Sequence, residues 1–544
     1  MINRSTHVAE ARTDARADAR VDAGATVRSW APVFWRLAIF AVWAAIVALA
    51  EFHHQFWRDE VRALSLALNA DTLFSIPAAV HGEGHPVLWY LLLRVSYDIF
   101  GTKAVLPLLN LLIAAAAVII FLWRAPFPLW WKALFVFSAI VAYEYSVISR
   151  NYSIVMLLMF VYAAVYTVPR RSPLWLVLIL FFLTQTHVIA TLLVPFYLFI
   201  WFSDWWSARK TGPKDRLFWI ILASFVSSAG MLAAFATVFP TNNDLVLQAF
   251  PDDGRILHAI GSAILDPGHF YCEPPASEQS PYCWTGPLRL GDAARTVLLY
   301  LMVASLAVRP PLLLSALGGL WGTVLFFQLV YMGYYRHQAI WIIFLITLYW
   351  IEFAARGQAL QIRPSIKSRL LLSSFYEAFA LFLVINLGIG KVYIDTVHEI
   401  SKSRALADLL QTSTDLHNAI ILPEPEQIAE AIPYYVDNDI YLLREGKFGK
   451  FATWSSRTSK LDLTPHDILA TARSLKEETG RPVLIVLQWP VIETELNQLR
   501  EFATPPLWRF SYDGEDAREF LAATRKLPLG PKAILEDFDV YLLQ

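Results

Sequence analysis

The sequence predicts an α-helical polytopic membrane protein with a C-terminal extracytoplasmic α/β domain, and three observations carry that expectation. Of its 544 residues, 56% are hydrophobic and 17% charged, against roughly 25% charged in ordinary soluble domains. Runs such as Ala104 to Trp123 and Leu217 to Phe239 stay apolar over a length that crosses a bilayer. From about Asp395 the pattern changes to the shorter polar and apolar alternation of a water-soluble fold. A soluble enzyme is thereby excluded. The 20 Trp, 22 Tyr and 35 Phe supply side chains for the membrane interfaces. A net charge of -1 offers no basic excess to neutralise phosphates, so nucleic acid is excluded as a partner. Two cysteines cannot build a disulfide framework or a four-Cys zinc site, although they suffice for one bridge.

Residues 1–30 alternate Ala, Asp and Arg, include five Arg, and read as a disordered cytoplasmic tail. The apolar run after Arg36 ends in Ala48-Leu49-Ala50, which imitates a signal-peptide cleavage site, but it is read as an uncleaved first span. Residues from Glu51 onward then emerge outside. Pro86 to Phe100 is short and carries Arg94 and Asp98, which suits a helix lying at the outer surface. With that assignment the basic loops fall inside, as the positive-inside rule requires. Spans are expected near 104–123, 131–148 and 152–168, the last ending inward at Arg170-Arg171. Leu174 to Phe202 is interrupted by Thr184-Gln185-Thr186-His187 and reads as two short spans with an outer tip at His187. The loop Ser203 to Arg216 lies inside, followed by a span at 217–239 and an outer loop, Pro240 to Asp292. Further spans near 293–308, 311–332, 338–355 and 370–391 bring the total to about 11.

The expected organisation is a tail (1–30), a transmembrane domain (31–391, with outer loops 51–103 and 240–292) and a soluble domain (395–544). In the last, Ala419 to Leu422, Asp439 to Leu443, Pro482 to Leu487 and Phe538 to Leu543 read as strands. Glu424 to Tyr435 and Pro465 to Thr479 read as helices. No GxGxxG, GxxxxGK or GxSxG motif assigns it chemistry.

Ionisable residues cost roughly 2.5–3.5 kcal/mol each at a helix centre, so where an apolar chain keeps them points to function. They gather at the outer ends: Glu51 to Arg62, His81 to Pro86, Arg150 and Tyr152, His187, and Tyr334-Tyr335-Arg336-His337. Adjacent Asp59 and Glu60 point about 100° apart on a helix, so one can face a cavity while its neighbour holds an arginine. A partly desolvated carboxylate suits a general base; equally, the pair can simply favour the N-terminal dipole of a helix from Glu60 to Leu68. His81-x-Glu83-x-His85 offers ligand types for a divalent metal, but its two glycines make it a loop whose polar groups can serve hydrogen bonding instead. Arg150, Arg336 and His337 suit a phosphate or pyrophosphate, or snorkel to lipid headgroups. His187 is either a substrate contact or a satisfied interhelical histidine. Cys272 and Cys283 share one outer loop, where a disulfide or two free thiols can stand.

Three motifs in order, Trp57-Arg58-Asp59-Glu60, then Glu83-Gly84-His85-Pro86-Val87-Leu88-Trp89-Tyr90-Leu91-Leu92-Leu93-Arg94, then Ser149-Arg150-Asn151-Tyr152, resemble the integral-membrane GT-C glycosyltransferases over roughly residues 30 to 391. The resemblance is to the bacterial group that includes aminoarabinose and galacturonic acid transferases and the protein O-mannosyltransferases. It implies a polyprenyl-phosphate sugar donor entering from membrane lipid, and a glycan, lipid or protein acceptor on the periplasmic side of a bacterial inner membrane. By the same resemblance Asp59 is the base for inverting displacement, and Arg150 with Arg336 stabilises the leaving lipid phosphate. Arg58, Glu60, Glu83, His85, Tyr152, His187 and His337 are the further candidate substrate-binding residues. No cofactor is required, the divalent metal standing as the alternative. The chain departs from the group's pattern at His85-Pro86-Val87, where many relatives read His-Pro-Pro, which leaves the donor sugar open. A secondary transporter or flippase for a lipid-linked sugar is the competing expectation, with charges at mid-membrane on broken helices. A non-catalytic sensor or scaffold is a third.

Overall fold

The computed structural model describes residues 31–168, 172–210, 215–239, 253–271, 290–331, 333–358, 366–495, 498–504 and 508–544. The N-terminal tail, Arg170-Arg171, most of the 240–292 loop, Cys272 and Cys283 lie outside the described residues.

Among the described residues, six helices are long and apolar enough to cross a membrane: Pro32–His53, Val105–Arg124, Val188–Ala208, Arg216–Val238, Pro310–Leu329 and Tyr335–Arg356. Tyr152–Tyr166, Pro173–Thr184 and Ser374–Ile385 are apolar but shorter. We number the helices that position the site α1 (Ala31–His53), α2 (Arg58–Asn69), α3 (Leu88–Phe100), α4 (Val105–Arg124), α5 (Leu129–Val136), α6 (Tyr152–Tyr166), α7 (Pro173–Thr184), α8 (Val188–Ala208), α9 (Tyr335–Gln358), α10 (Ile366–Ile385) and α11 (Ile389–Val397).

Two expected spans are interrupted. The segment 131–148 is not one helix: α5 stops at Val136, and a wide turn occupies Ile140–Glu144. The expected span 370–391 likewise ends at Ile385 and restarts at Ile389. Each break satisfies the other's freed backbone. Ala139 N–H donates to Asn386 O (2.6 Å), Gly388 N–H donates to Phe137 O (2.9 Å), and Ser138 pairs with Leu387 as an isolated antiparallel bridge. Buried peptide groups demand such partners. The approach is close enough that a Cβ at Gly388 would stand 2.9 Å from Ala142 Cβ and 3.1 Å from Ser138 O. The Asn110 amide of α4 donates to Ser146 O (2.9 Å) and Ile148 O (3.2 Å), which holds the irregular chain leading to Arg150.

The tip between α7 and α8 falls at His187 as expected, but it is buried. Asn151 donates to Thr186 O (2.5 Å), Gln185 donates to Gly230 O (2.7 Å), and Leu88 N–H donates to Gln185 O (3.1 Å), so α3 roofs the turn.

The C-terminal region is α/β. A four-stranded sheet has the order β1 (Ile420–Glu424), β5 (Val483–Leu487), β9 (Asp539–Leu543), β8 (Thr524–Leu527), with β1 and β5 parallel and the other pairs antiparallel. Two-residue periodicity divides its apolar side chains between both faces. Ile420, Leu422, Val483, Ile485 and Tyr541 join one core, while Ile421, Leu484, Val486 and Val540 join another. A hairpin joins β2 (Tyr441–Leu442) to β3 (Lys447–Phe448), and β4 (Asp462–Leu463), β7 (Trp508–Tyr512) and β6 (Arg500–Thr504) form a second sheet. The expected helix from Glu424 to Tyr435 is instead the end of β1, a turn at Glu426–Ala429 and a short helical turn at Ile432–Tyr435. Pro425 and Pro433 account for this, since neither can donate inside a continuous helix.

Candidate active site

Helix α2 places the acidic pair. Val61, Leu64 and Leu68 repeat at helical spacing, with the first two buried in a core shared with Trp89, Tyr90 and Leu93 of α3. That packing fixes the helix phase and separates the two carboxylates. Glu60 faces inward and is fully buried. It accepts from Ser149 N–H at 2.6 Å and pairs with His54 Nε2 at 2.9 Å. His54 Nδ1 pairs in turn with Asp395 of α11 at 2.9 Å. Burial opposes charge on His54, but the carboxylates of Glu60 and Asp395 outweigh it and raise its pKa well above the usual imidazole range. Its ring therefore donates from both nitrogens.

Asp59 faces the other way, and its side chain keeps 40% of its exposure although protein surrounds the opening. Arg150 and Arg336 each bring a guanidinium nitrogen to 4.0 Å of its carboxylate, and Arg58 stands at 3.8 Å. Burial alone would raise the carboxyl pKa; Arg150, then Arg58, Arg336 and Arg62, bring it below the ordinary value. Asp59 is thus an accessible carboxylate at neutral pH.

The arginines are built in. Arg150 donates one nitrogen to the Asp59 carbonyl and another to His85 Nε2, the latter at 2.6 Å. Acceptance requires neutral His85, and burial followed by the charge of Arg150 holds its pKa well below the usual range. Arg336 lies over the Trp57 ring at 4.7 Å, and its carbonyl accepts from Tyr145 Oη at 2.9 Å. Tyr152 and His337 bond each other at 3.0 Å behind the opening, and Tyr152 stacks on Tyr145. His187 lies 5.0 Å from the His85 ring, its Nδ1 accepting from Ile189 N–H at 3.1 Å. Burial and then Arg150 push its pKa down to about 3.

Glu60 and Glu83, both expected around the substrate, are each engaged by protein groups. Glu83 takes two bonds from Arg62, at 2.7 and 2.5 Å, and Arg62 also reaches Glu430 at 2.5 Å and Ala452 O at 2.9 Å. His81, Glu83 and His85 do not converge as a metal group: Glu83 belongs to Arg62 and His85 to Arg150. Among the described residues, Asp266, His269 and Asp292 bring potential ligand atoms within 4.8 Å of one another, but Arg295 already engages Asp292, and Thr296 donates to Asp266 at 2.8 Å.

Sequence reading missed the C-terminal partners. The backbone N–H of Arg58 donates to both oxygens of Glu536, at 3.1 and 3.2 Å. Burial raises the Glu536 and Glu430 pKa values to about 7 each, with Arg58 and Arg62 respectively opposing the rise. Carboxylates are ordinary in a soluble domain, so no pattern in the sequence singles these out.

The molecule is thus a helical protein with membrane-length apolar helices, carrying an accessible carboxylate ringed by guanidinium groups beneath an α/β region. No family model matches the sequence, and no curated protein matches it. Among solved structures it is similar to ArnT from Cupriavidus metallidurans in the apo state, at a TM-score of 0.47 and 12% identity, over 94% of this chain and 98% of that chain. A likeness at that score transfers neither a residue role nor a reaction, and the site rests on its own geometry.

Proposed function

We propose that the chain is a multi-pass membrane glycosyltransferase of GT-C type, acting at the outer face of a bacterial inner membrane with the 395–544 region on the periplasmic side. Its donor is a sugar on polyprenyl phosphate and its acceptor a periplasmic glycan, lipid or protein. The observation that carries this reading is one accessible carboxylate, Asp59, with the guanidinium groups of Arg150 and Arg336 both 4.0 Å from it. A base and an anion seat share one opening.

In the reaction, Asp59 takes the proton of the acceptor hydroxyl as its oxygen attacks the anomeric carbon from the face opposite the phosphate. The bond from that carbon to the phosphate oxygen breaks, and the electron pair leaves with polyprenyl phosphate. Arg150 and Arg336 stabilise the charge that accumulates there. Before the donor binds, those cations depress the basicity of Asp59. A bound phosphate offsets their charge, so donor binding raises the base's proton affinity when it is needed.

One feature favours transport: the paired helix breaks at Ser138 and Leu387. Their backbone groups satisfy each other, and the nearby buried charges, Glu144 and Lys391, close on one another as an ion pair. Enzyme is therefore preferred. Purified protein given radiolabelled polyprenyl-phosphate sugars and an envelope acceptor fraction tests the choice. Transfer by wild type that Asp59→Asn abolishes supports the enzyme; movement of the lipid without transfer in either protein replaces it with a transporter.

A further inference from the structure

The surroundings of Asp59 are rich in proton donors. His85 Nε2 accepts from Arg150, so its proton stands on Nδ1, which is buried without a partner. His187 Nδ1 accepts from Ile189 N–H, so its proton stands on Nε2, likewise buried without a partner. His337 Nδ1 accepts from Tyr334 N–H at 3.0 Å, so Nε2 donates to Tyr152 Oη and leaves the phenolic proton free to donate in turn. The guanidinium of Arg336 makes no hydrogen bond among the described residues and is held by ring faces instead, Trp57 at 4.7 Å and Tyr334 at 5.9 Å. Acceptors are scarce by comparison. Glu60 is taken by His54 and Ser149, Glu83 by Arg62, Glu430 by Arg62 and Ala452 N–H, and Glu536 by Arg58 N–H and Ser401. Asp59 is the accessible carboxylate that remains.

Charge closes in the same place. Arg62 is balanced by Glu83 and Glu430, and Arg58 lies 3.7 Å from Glu536. Arg150 and Arg336 have no carboxylate within 4.0 Å other than Asp59 among the described residues. One further negative charge balances that pair, and the phosphodiester of a polyprenyl-phosphate sugar supplies it. A basic substituent on the sugar would meet both guanidinium groups and find Asp59 as its sole counter-ion, which would occupy the base. A carboxylate on the sugar would compete with the phosphodiester for the arginines and stand beside Asp59. A neutral ring leaves the balance intact, and its hydroxyl oxygens accept from the donors. Its C–H face suits the Tyr334 ring, which is 39% exposed beside Arg336. We propose that the sugar on the donor is neutral, a hexose or pentose without an amino or carboxyl group, and that Tyr334 is its stacking platform. This choice of sugar rests on the glycosyltransferase reading, whose donor it specifies.

The test measures binding in the absence of acceptor. The full chain in detergent is titrated with polyprenyl phosphates bearing galactose, galacturonate or galactosamine, and with the glucose, glucuronate and glucosamine series, against unsubstituted polyprenyl phosphate. The neutral member of the better-bound series binds about tenfold tighter than either charged one, because like charges brought together in a partly desolvated opening are costly. A charged member binding as tightly as its neutral counterpart overturns the proposal. Asp59→Asn removes one of the balancing negative charges and moves the order about tenfold toward the uronate; an unchanged order overturns the charge account. Tyr334→Leu weakens the neutral member about fivefold and leaves unsubstituted polyprenyl phosphate unchanged, while Tyr334→Phe, which keeps the ring, binds as wild type. Tyr334 is exposed enough that thermal unfolding stays as in wild type. Parallel loss of sugar-bearing and unsubstituted lipid in Tyr334→Leu overturns its role as platform. Wild type that prefers the neutral member yet transfers no sugar to an envelope acceptor sinks the glycosyltransferase reading and leaves the specificity standing; transfer with the amino sugar preferred does the reverse.

Discussion

His85 controls Arg150, and replacing it measures how much the guanidinium contributes. The imidazole accepts from Arg150 at 2.6 Å while the Asp59 carbonyl accepts from the neighbouring nitrogen, so two acceptors fix one planar group. His85→Phe keeps a ring of similar size and removes the acceptor. A charged donor that loses its partner forfeits about 1.5–3 kcal/mol, which is about 10- to 150-fold in kcat/KM at 1.36 kcal/mol per decade. Because Arg150 is the strongest of the charges lowering the Asp59 pKa, its displacement also raises that pKa and moves the acid limb of the rate profile upward. His85→Gln, whose amide oxygen accepts, restores most of the rate. Steady-state transfer of a radiolabelled sugar from its polyprenyl phosphate, followed between about pH 4 and 8, supplies both readouts. A His85→Phe enzyme with unchanged kcat/KM and an unshifted acid limb would refute the claim that His85 positions Arg150.

The remaining expectations separate chemistry from architecture. Asp59→Asn removes transfer by about 1,000-fold or more, as loss of a general base does at its upper range, with no fall in thermal unfolding temperature; a fall comparable to that of Glu60→Gln would make Asp59 structural. Glu60→Gln breaks a buried pair and lowers stability by about 3–5 kcal/mol, visible as a lower unfolding temperature in detergent. His54 has a folded pKa above its unfolded value of about 6.5. Its contribution to stability is therefore complete below that pH and is lost as pH rises through the folded value; a His54→Gln variant whose unfolding temperature follows the same alkaline slope as wild type would contradict this. His187 has the opposite sign: with a folded pKa near 3, its contribution is present above pH of about 6.5 and is lost as pH falls toward the folded value. Wild type should lose more stability on acidification than His187→Asn, measured by the same unfolding assay.

The exposed end of the site was legible because the chain is so apolar. Arg150 and Arg336 stand at helix ends in long uncharged stretches, and Thr184-Gln185-Thr186-His187 interrupts a run otherwise long enough for two helices. What those residues touch was not legible. Asp59 and Glu60 differ by one position, and only the packing of Val61 and Leu64 decides which carboxylate turns inward. Glu83 lies in a loop beside His85, yet the side chains part toward different arginines. The breaks at Ser138 and Leu387 carry no proline, and hydropathy cannot register two segments that exchange backbone hydrogen bonds across 249 positions. Long-range pairing of that kind depends on tertiary structure alone.

The partners that sequence reading missed share one property: they connect the C-terminal region to the helix that bears Asp59. Glu536 receives the first N–H of α2 through Arg58, Glu430 receives Arg62 one turn later, and Asp395 holds His54, which holds Glu60. Arg58 and Arg62, one turn apart on α2, are thus anchored directly by residues more than 300 positions away, and Glu60 is anchored through His54, which Asp395 holds. A base must be held within about half an ångström to be effective, and these long-range contacts add to the packing of α2 on α3. On the proposed reading, the α/β region contributes to the chemistry without presenting a reacting group of its own, by fixing the orientation of Asp59. The consequence is testable at Glu430, whose loss leaves Arg62 with Glu83 but frees the C-terminal anchor. Glu430→Gln should lower kcat while leaving donor binding intact, because Arg150 and Arg336 are held by His85, Trp57 and Tyr145 rather than by this carboxylate. Donor binding lost in parallel with kcat would show that the C-terminal region instead organises the anion seat.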